Sequence, residues 1–283
     1  MRKHIGMILA GFFVVCAAGC ADAQTQPEEA VRESTGEEQT EELTEEELTE
    51  EQQTENAAPE TELAAAVGSL SEEEKDAYHS VLYDIYFNHL FPNGREYGFQ
   101  GDDISENQFA VYDVDQDGSL ELLIRYTTTY MAGQVEIVYN FESELDMVRE
   151  EFIEFPMLTF YDNGYVTAGW SHAQGIEGDF WPYTLYRYDP EGDAYAAVAQ
   201  VEAWDSDFET DNQGNPFPEE ADVSGAGIVY YITPEGEETK GPADQAEYET
   251  WLASWQNDAQ EMEIPWVSLT EENIGLVKDA AES

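Results

Sequence analysis

Met157-Leu158-Thr159-Phe160-Tyr161-Asp162-Asn163-Gly164-Tyr165-Val166-Thr167-Ala168-Gly169-Trp170 holds two short runs rich in aromatic and β-branched residues, joined by Asp-Asn-Gly. An Asn-Gly pair accepts the positive φ angles of a tight hairpin turn, so the segment reads as two antiparallel strands. The same pattern recurs on either side. Runs 183–188 and 194–201 flank Asp189-Pro190-Glu191-Gly192-Asp193, and run 228–232 ends at Pro234-Glu235-Gly236. Upstream, 109–112, 120–126 and 135–141 have strand composition. Hairpins following one another along the chain predict an antiparallel sheet.

Helices are expected at the two ends of this β region. Ser71-Glu72-Glu73-Glu74 has the form of a capping box, with Ser71 as N-cap and Glu74 three residues on. Tyr78, Val81, Leu82, Ile85 and Leu90 follow at helical spacing, and Pro92-Asn93-Gly94 stops the run. Near the C-terminus, Tyr248, Trp251, Leu252 and Trp255 fit i, i+3, i+4, i+7. Thr270 stands where it caps a last helix through Ile274 and Val277. The expected fold is α+β: an antiparallel sheet with an N-terminal helix and C-terminal helices packed on it.

Charge excludes whole classes of partner. The 283 residues carry 63 acidic and 10 basic side chains, a formal net charge of −53. Removing the sixteen acids and three bases that precede residue 63 still leaves about −40. Such a domain has no basic surface for nucleic-acid phosphates or for anionic lipid headgroups. Its only cysteines are Cys16 and Cys20, so neither a disulfide framework nor a thiolate zinc site is expected beyond them.

The N-terminus reads as an address. Arg2 and Lys3 precede an apolar run over 5–15 that is too short to span a bilayer and has the size of a signal-peptide core. Ala17-Ala18-Gly19-Cys20 follows, and it resembles a bacterial lipobox with Ala17 in place of the usual larger aliphatic residue. The resemblance implies lipidation at Cys20 and anchoring at the extracellular face of the cell membrane. The alternative is an ordinary signal peptide cut after Ala21-Asp22-Ala23. The expected organisation is a lipoprotein signal peptide over 1–20, an acidic disordered tether over 21–66 and a single α+β extracellular domain over 67–283. The tether carries repeated Glu and Thr with no apolar stripe, a self-repelling composition. As a whole the chain resembles acidic surface lipoproteins of bacteria, which implies an architecture and no activity.

Asp113-Val114-Asp115-Gln116-Asp117-Gly118-Ser119-Leu120-Glu121 has the form D-x-D-x-D-G-x-x-E. Alternating carboxylates in a tight loop converge on one hard cation, and Gly118 permits the sharp turn. The expected ligands are the side chains of Asp113, Asp115, Asp117 and Glu121 and the carbonyl of Ser119, with calcium as a structural cofactor. The motif resembles an EF-hand loop in its first half and departs at Ile124, where that loop carries a bidentate Glu. Lying between strand-like runs, it is closer to the calcium hairpins of FG-GAP-type repeats. Asp205, Asp207, Glu209 and Asp211 also alternate, but Gly214 is misplaced for the same loop.

Catalytic candidates are sparse. The domain's histidines are His79, His89 and His172, and there is no H-E-x-x-H. Gly169-Trp170-Ser171-His172-Ala173 approaches a nucleophile elbow, with Ala173 replacing the second glycine and no helix expected after it. Trp170, His172, Phe180, Trp181 and Tyr183 form an aromatic loop that would suit stacking on a sugar or a peptide; the competing reading is that these rings cap the core. Two functions remain open. One is a surface-anchored, calcium-stabilised binding or interaction domain with a carbohydrate or peptide ligand. The other is a secreted hydrolase acting on glycans or peptides.

Overall fold

The computed structural model describes residues 58–279 except 93 and 102. The signal segment, Cys20 and the tether up to residue 57 lie outside the described residues. Helices α1 (Pro59–Val67) and α2 (Glu72–Asn88) come first. Strands β1 (Gln108–Tyr112), β2 (Glu121–Tyr126), β3 (Val135–Glu142) and β4 (Met147–Glu154) follow. Next are β5 (Leu158–Phe160), β6 (Tyr165–Gly169), β7 (Tyr183–Asp189), β8 (Ala194–Asp205), β9 (Ile228–Pro234) and β10 (Lys240–Ala243). Helix α3 (Gln245–Gln256), strand β11 (Val267–Ser268) and helix α4 (Glu271–Asp279) complete the order.

The fold is α+β, and its strands divide into two antiparallel sheets rather than one. The first has the order β11-β1-β2-β3-β4, the second β10-β9-β8-β7-β6-β5. The division falls at Phe155-Pro156, between β4 and β5. A proline there lacks the N–H that a continuing ladder requires. Within each sheet, alternate residues point to opposite faces. Phe109, Val111, Leu122, Ile124, Ile137 and Tyr139 pack under α1, α2 and α4. On the other face, Ala110, Leu123, Val138 and Phe152 meet Phe160 and Val166 of the second sheet. The far side of the second sheet is covered by α3 through Leu185, Trp251, Leu252 and Trp255. The layers therefore run helices, sheet, sheet, helix.

The hairpin at Asp162-Asn163-Gly164 forms as its sequence dictates. Gly164 takes φ +79°, its N–H donates to the Tyr161 carbonyl (3.0 Å), and β5 pairs with β6. Asn163 Nδ2 also donates to the Trp255 carbonyl (2.7 Å), tying the turn to α3. The Ser71–Glu74 capping box is present in both directions, with Ser71 N–H to Glu74 Oε2 at 2.6 Å and Glu74 N–H to Ser71 Oγ at 3.2 Å. Thr270 Oγ1 accepts from the Asn273 N–H at the start of α4 (3.2 Å).

Four details differ from the sequence reading. Leu63 and Val67 of α1 are buried in the core, so the folded unit starts before residue 67. Helix α2 ends at Asn88, two residues short of Leu90, with His89 in the left-handed conformation as its C-cap, which leaves Leu90 beyond it and exposed. Strand β4 carries Arg149, Glu150 and Glu151 at its centre, a sequence without strand character. The short strands β10 and β11 carry no apolar alternation. Among the described residues, no helix is long and apolar enough to cross a membrane.

Candidate metal centre

The loop from Asp113 to Glu121 joins β1 to β2, and its backbone is held by its own acids. Asp117 N–H donates to Asp115 Oδ1 (3.0 Å), and Ser119 N–H donates to Asp117 Oδ1 (2.7 Å). Gln116 and Gly118 take positive φ, which turns the chain between these bonds. Glu121 opens β2 on the parity that faces the second sheet. Its Oε2 accepts from the Val114 N–H (2.9 Å), and the residue is fully buried. Asp117 and Ser119 are exposed on the outer turn.

Among the described residues, two triads of carboxylates bring one oxygen from each member within 4.8 Å of the others. Asp113, Asp115 and Glu121 form the first, and Asp115, Glu151 and Asp193 form the second. Oxygens bound to one hard cation at about 2.4 Å lie at most about 4.8 Å apart, so the spacing within each triad permits a shared ion. Three of the expected ligands converge and Asp117 does not join them. Glu151 and Asp193 were not legible as ligands. Between the pairs Val138–Phe152 and Tyr139–Glu150 the register shifts, so Glu151 is the extra residue of a β-bulge. A bulge re-aims the side chain it carries. Asp193, at φ +47°, ends the turn between β7 and β8. That turn was expected, but its spatial neighbour was not.

Among the described residues, each other buried acid has a donor or a cation beside it, and only Glu136 among them leaves an oxygen, Oε1, without a partner. Glu136 meets the Arg125 guanidinium at 2.9 Å. Glu177 accepts the N–H groups of Gln174, Gly175 and Ile176 at 2.7–2.8 Å. Asp244 caps α3 and accepts from Ser224. The centre differs. Glu121 Oε1, Asp113 Oδ1, Asp115 Oδ2 and both oxygens of Glu151 are buried without a hydrogen-bond partner. A buried charged oxygen with neither donor nor cation is strongly unfavourable. Burial first, and then the charge of Asp115, pushes the Glu121 carboxyl up to about 10 and that of Glu151 up to about 8. Asp115 is raised as well, chiefly by burial. These are the properties of an oxygen-only, anionic pocket suited to a hard divalent cation. A cavity of about 640 Å³, lined in part by Asp113, Gln116, Leu120 and Asp162, borders the loop and gives solvent a route to Asp113.

The remaining sequence candidates lie elsewhere. Ser171 Oγ is 3.2 Å from His172 Nδ1, a contact between chain neighbours on an exposed loop. Among the described residues no hydrogen bond joins the His172 ring to a carboxylate that could orient it. Phe180 and Tyr183 pack into the α3 face of the second sheet beside Tyr248. The Trp170 indole N–H donates to Thr184 Oγ1 (3.0 Å) and that of Trp181 to the Trp170 carbonyl (2.7 Å). Trp181 keeps 45% of its surface exposed. Asp205 and Asp211 accept from backbone N–H groups of their own turns. Comparison of the chain with protein-family models, curated proteins and solved structures finds no match.

Proposed function

We propose that the chain is a lipid-anchored surface protein, held through Cys20 at the extracellular face of the cell membrane. Its α+β domain is stabilised by structural calcium and acts in binding or interaction. The observation that carries the calcium reading is the set of buried, partnerless carboxylate oxygens on Asp113, Asp115 and Glu121. Calcium is favoured over magnesium because three protein carboxylates converge on one point, whereas magnesium usually keeps several waters and takes one or two carboxylates. The half-exposed Trp181 ring is the surface on which a carbohydrate or peptide would stack. In the alternative reading, a secreted hydrolase using carboxylates, the Ser171–His172 pair has no orienting third group among the described residues.

The calcium reading predicts a melting shift. Extracellular calcium modules often bind with dissociation constants of ~10⁻⁴ M or weaker, so 1 mM calcium adds about 1.4 kcal/mol at the tighter end. For a domain of this size that is a rise of about 3–6 °C over magnesium at equal ionic strength. An equal rise with both ions reduces the effect to general screening of an acidic surface. The anchor is tested separately. Cells fed labelled palmitate should label the wild type and not Cys20→Ala, and the variant should leave the membrane fraction. An unlabelled wild type released into the medium and beginning near Gln24 returns the ordinary signal peptide.

A further inference from the structure

We infer that the centre holds two divalent cations, the second bound by Asp115, Glu151 and Asp193 and clipping one sheet to the other. This rests on the calcium reading of the first triad and extends it. Three features carry it.

The first is position. Asp115 precedes β2 and Glu151 lies on β4, both in the first sheet, whereas Asp193 lies in the β7–β8 turn of the second. A cation on all three spans the junction between the sheets. The protein already ties this junction with Arg149, whose guanidinium pairs with Asp193 and with Glu142, and Tyr188 donates its hydroxyl to Asp193 (2.9 Å). The second feature is an unused donor. Glu151 is 8% exposed, is aimed inward by the bulge, and has both oxygens without a partner. Asp115 Oδ2 is likewise unpartnered at 6% exposure. One ion in the Asp113–Asp115–Glu121 triad leaves Glu151 uncompensated.

The third feature is charge. Asp113, Asp115, Glu121, Glu151 and Asp193 carry five negative charges when ionised, and Arg149 supplies one positive charge. Arg149 is shared with Glu142, so at least four of these charges remain, and two divalent cations offset four. A single ion offsets only two of them and leaves Glu151 without a counter-charge of its own. Asp115, common to both triads, is the bridging carboxylate.

The test is a calcium titration of the full chain by isothermal calorimetry at fixed ionic strength, with Glu151→Gln, Asp193→Asn and Glu121→Gln beside the wild type. The wild type is expected to bind two equivalents at sub-millimolar calcium, and Glu151→Gln and Asp193→Asn one each. Amide exchange gives a second readout. Calcium should slow exchange across residues 183–205 in the wild type but not in Glu151→Gln or Asp193→Asn. One equivalent in the wild type, lost in Glu121→Gln and kept in Glu151→Gln, overturns the second site and leaves the first standing. No tight equivalent in the wild type overturns both. Two equivalents retained in Glu151→Gln and in Asp193→Asn place the second ion elsewhere and overturn the inference. Should Glu151→Gln fail to fold, Asp193→Asn carries the comparison alone.

Discussion

In chelated buffer at pH 8, Glu121→Gln is expected to be more stable than the wild type. Glu121 is fully buried among Asp113, Asp115 and Glu151, and its carboxyl is pushed up to about 10 from an ordinary 4.5, first by burial and then by the Asp115 charge. A carboxyl whose folded pKa is raised contributes stability that is complete below about 4.5 and is lost as pH rises toward about 10. At pH 8 the unfolded chain gains by ionising while the folded chain cannot. Three and a half pH units set an upper bound near 5 kcal/mol, and relaxation with entering water brings the expected cost to roughly 2–4 kcal/mol. Glutamine carries no such cost, and its amide oxygen can keep the Val114 N–H. The variant should therefore melt roughly 4–16 °C higher without calcium at pH 8, and the advantage should disappear near pH 4.5. Calcium should then raise the wild type more than Glu121→Gln, which keeps only the Asp115–Glu151–Asp193 triad, narrowing the gap. Thermal melts at pH 5 and pH 8, with chelator and with calcium, give all four values. Identical melting of the two proteins at both pH values would mean that water reaches Glu121 and that the site is not poised for a cation.

How much of this centre the sequence disclosed follows from where its ligands sit in the chain. Asp113, Asp115 and Glu121 occupy one nine-residue loop, so spacing alone brings them together. Asp117 has the same spacing, yet it points outward to fix the Ser119 N–H. The motif cannot separate the two roles, because capping a turn and binding a metal both use an Asp oxygen at that position. Glu151 was hidden for a different reason. Arg149-Glu150-Glu151 reads as solvated surface, and only the unpaired position opposite Val138 and Tyr139 turns Glu151 inward. A bulge is a property of two strands in register, and one strand's sequence does not carry it. The hairpins were legible because their turn residues act locally: Gly164 and the Asp189–Asp193 turn constrain only their own backbone. The division into two sheets was less so. Pro156 marks the break, but a proline between two strand runs fits a loop within one sheet equally well.

Phe152→Ala is expected to cost about 3–5 kcal/mol, the range for deleting a buried aromatic ring. Phe152 follows Glu151 on β4, is 6% exposed, and fills the space between the sheets with Leu123, Val138, Phe160 and Val166. Its ring lies 4.8 Å from Tyr186 in an edge-on contact and 4.7 Å from Tyr195, both from the second sheet. Tyr186 is not free to fill the void, because its hydroxyl is held to Glu154. The melting temperature should fall by roughly 6–20 °C. Ile274→Ala is the matched control. Ile274 is 3% exposed on the helix side of the first sheet, away from the junction, and its loss should cost about 2–5 kcal/mol. Both variants lose stability, but their response to calcium should differ. Removing Phe152 frees the bulge that aims Glu151 and loosens the sheet carrying Asp193, so the calcium shift should shrink. Ile274→Ala leaves that geometry intact and should keep the full shift. A Phe152→Ala protein that melts early yet responds to calcium like the wild type would show that the β1–β2 loop organises its ligands without the packing between the sheets.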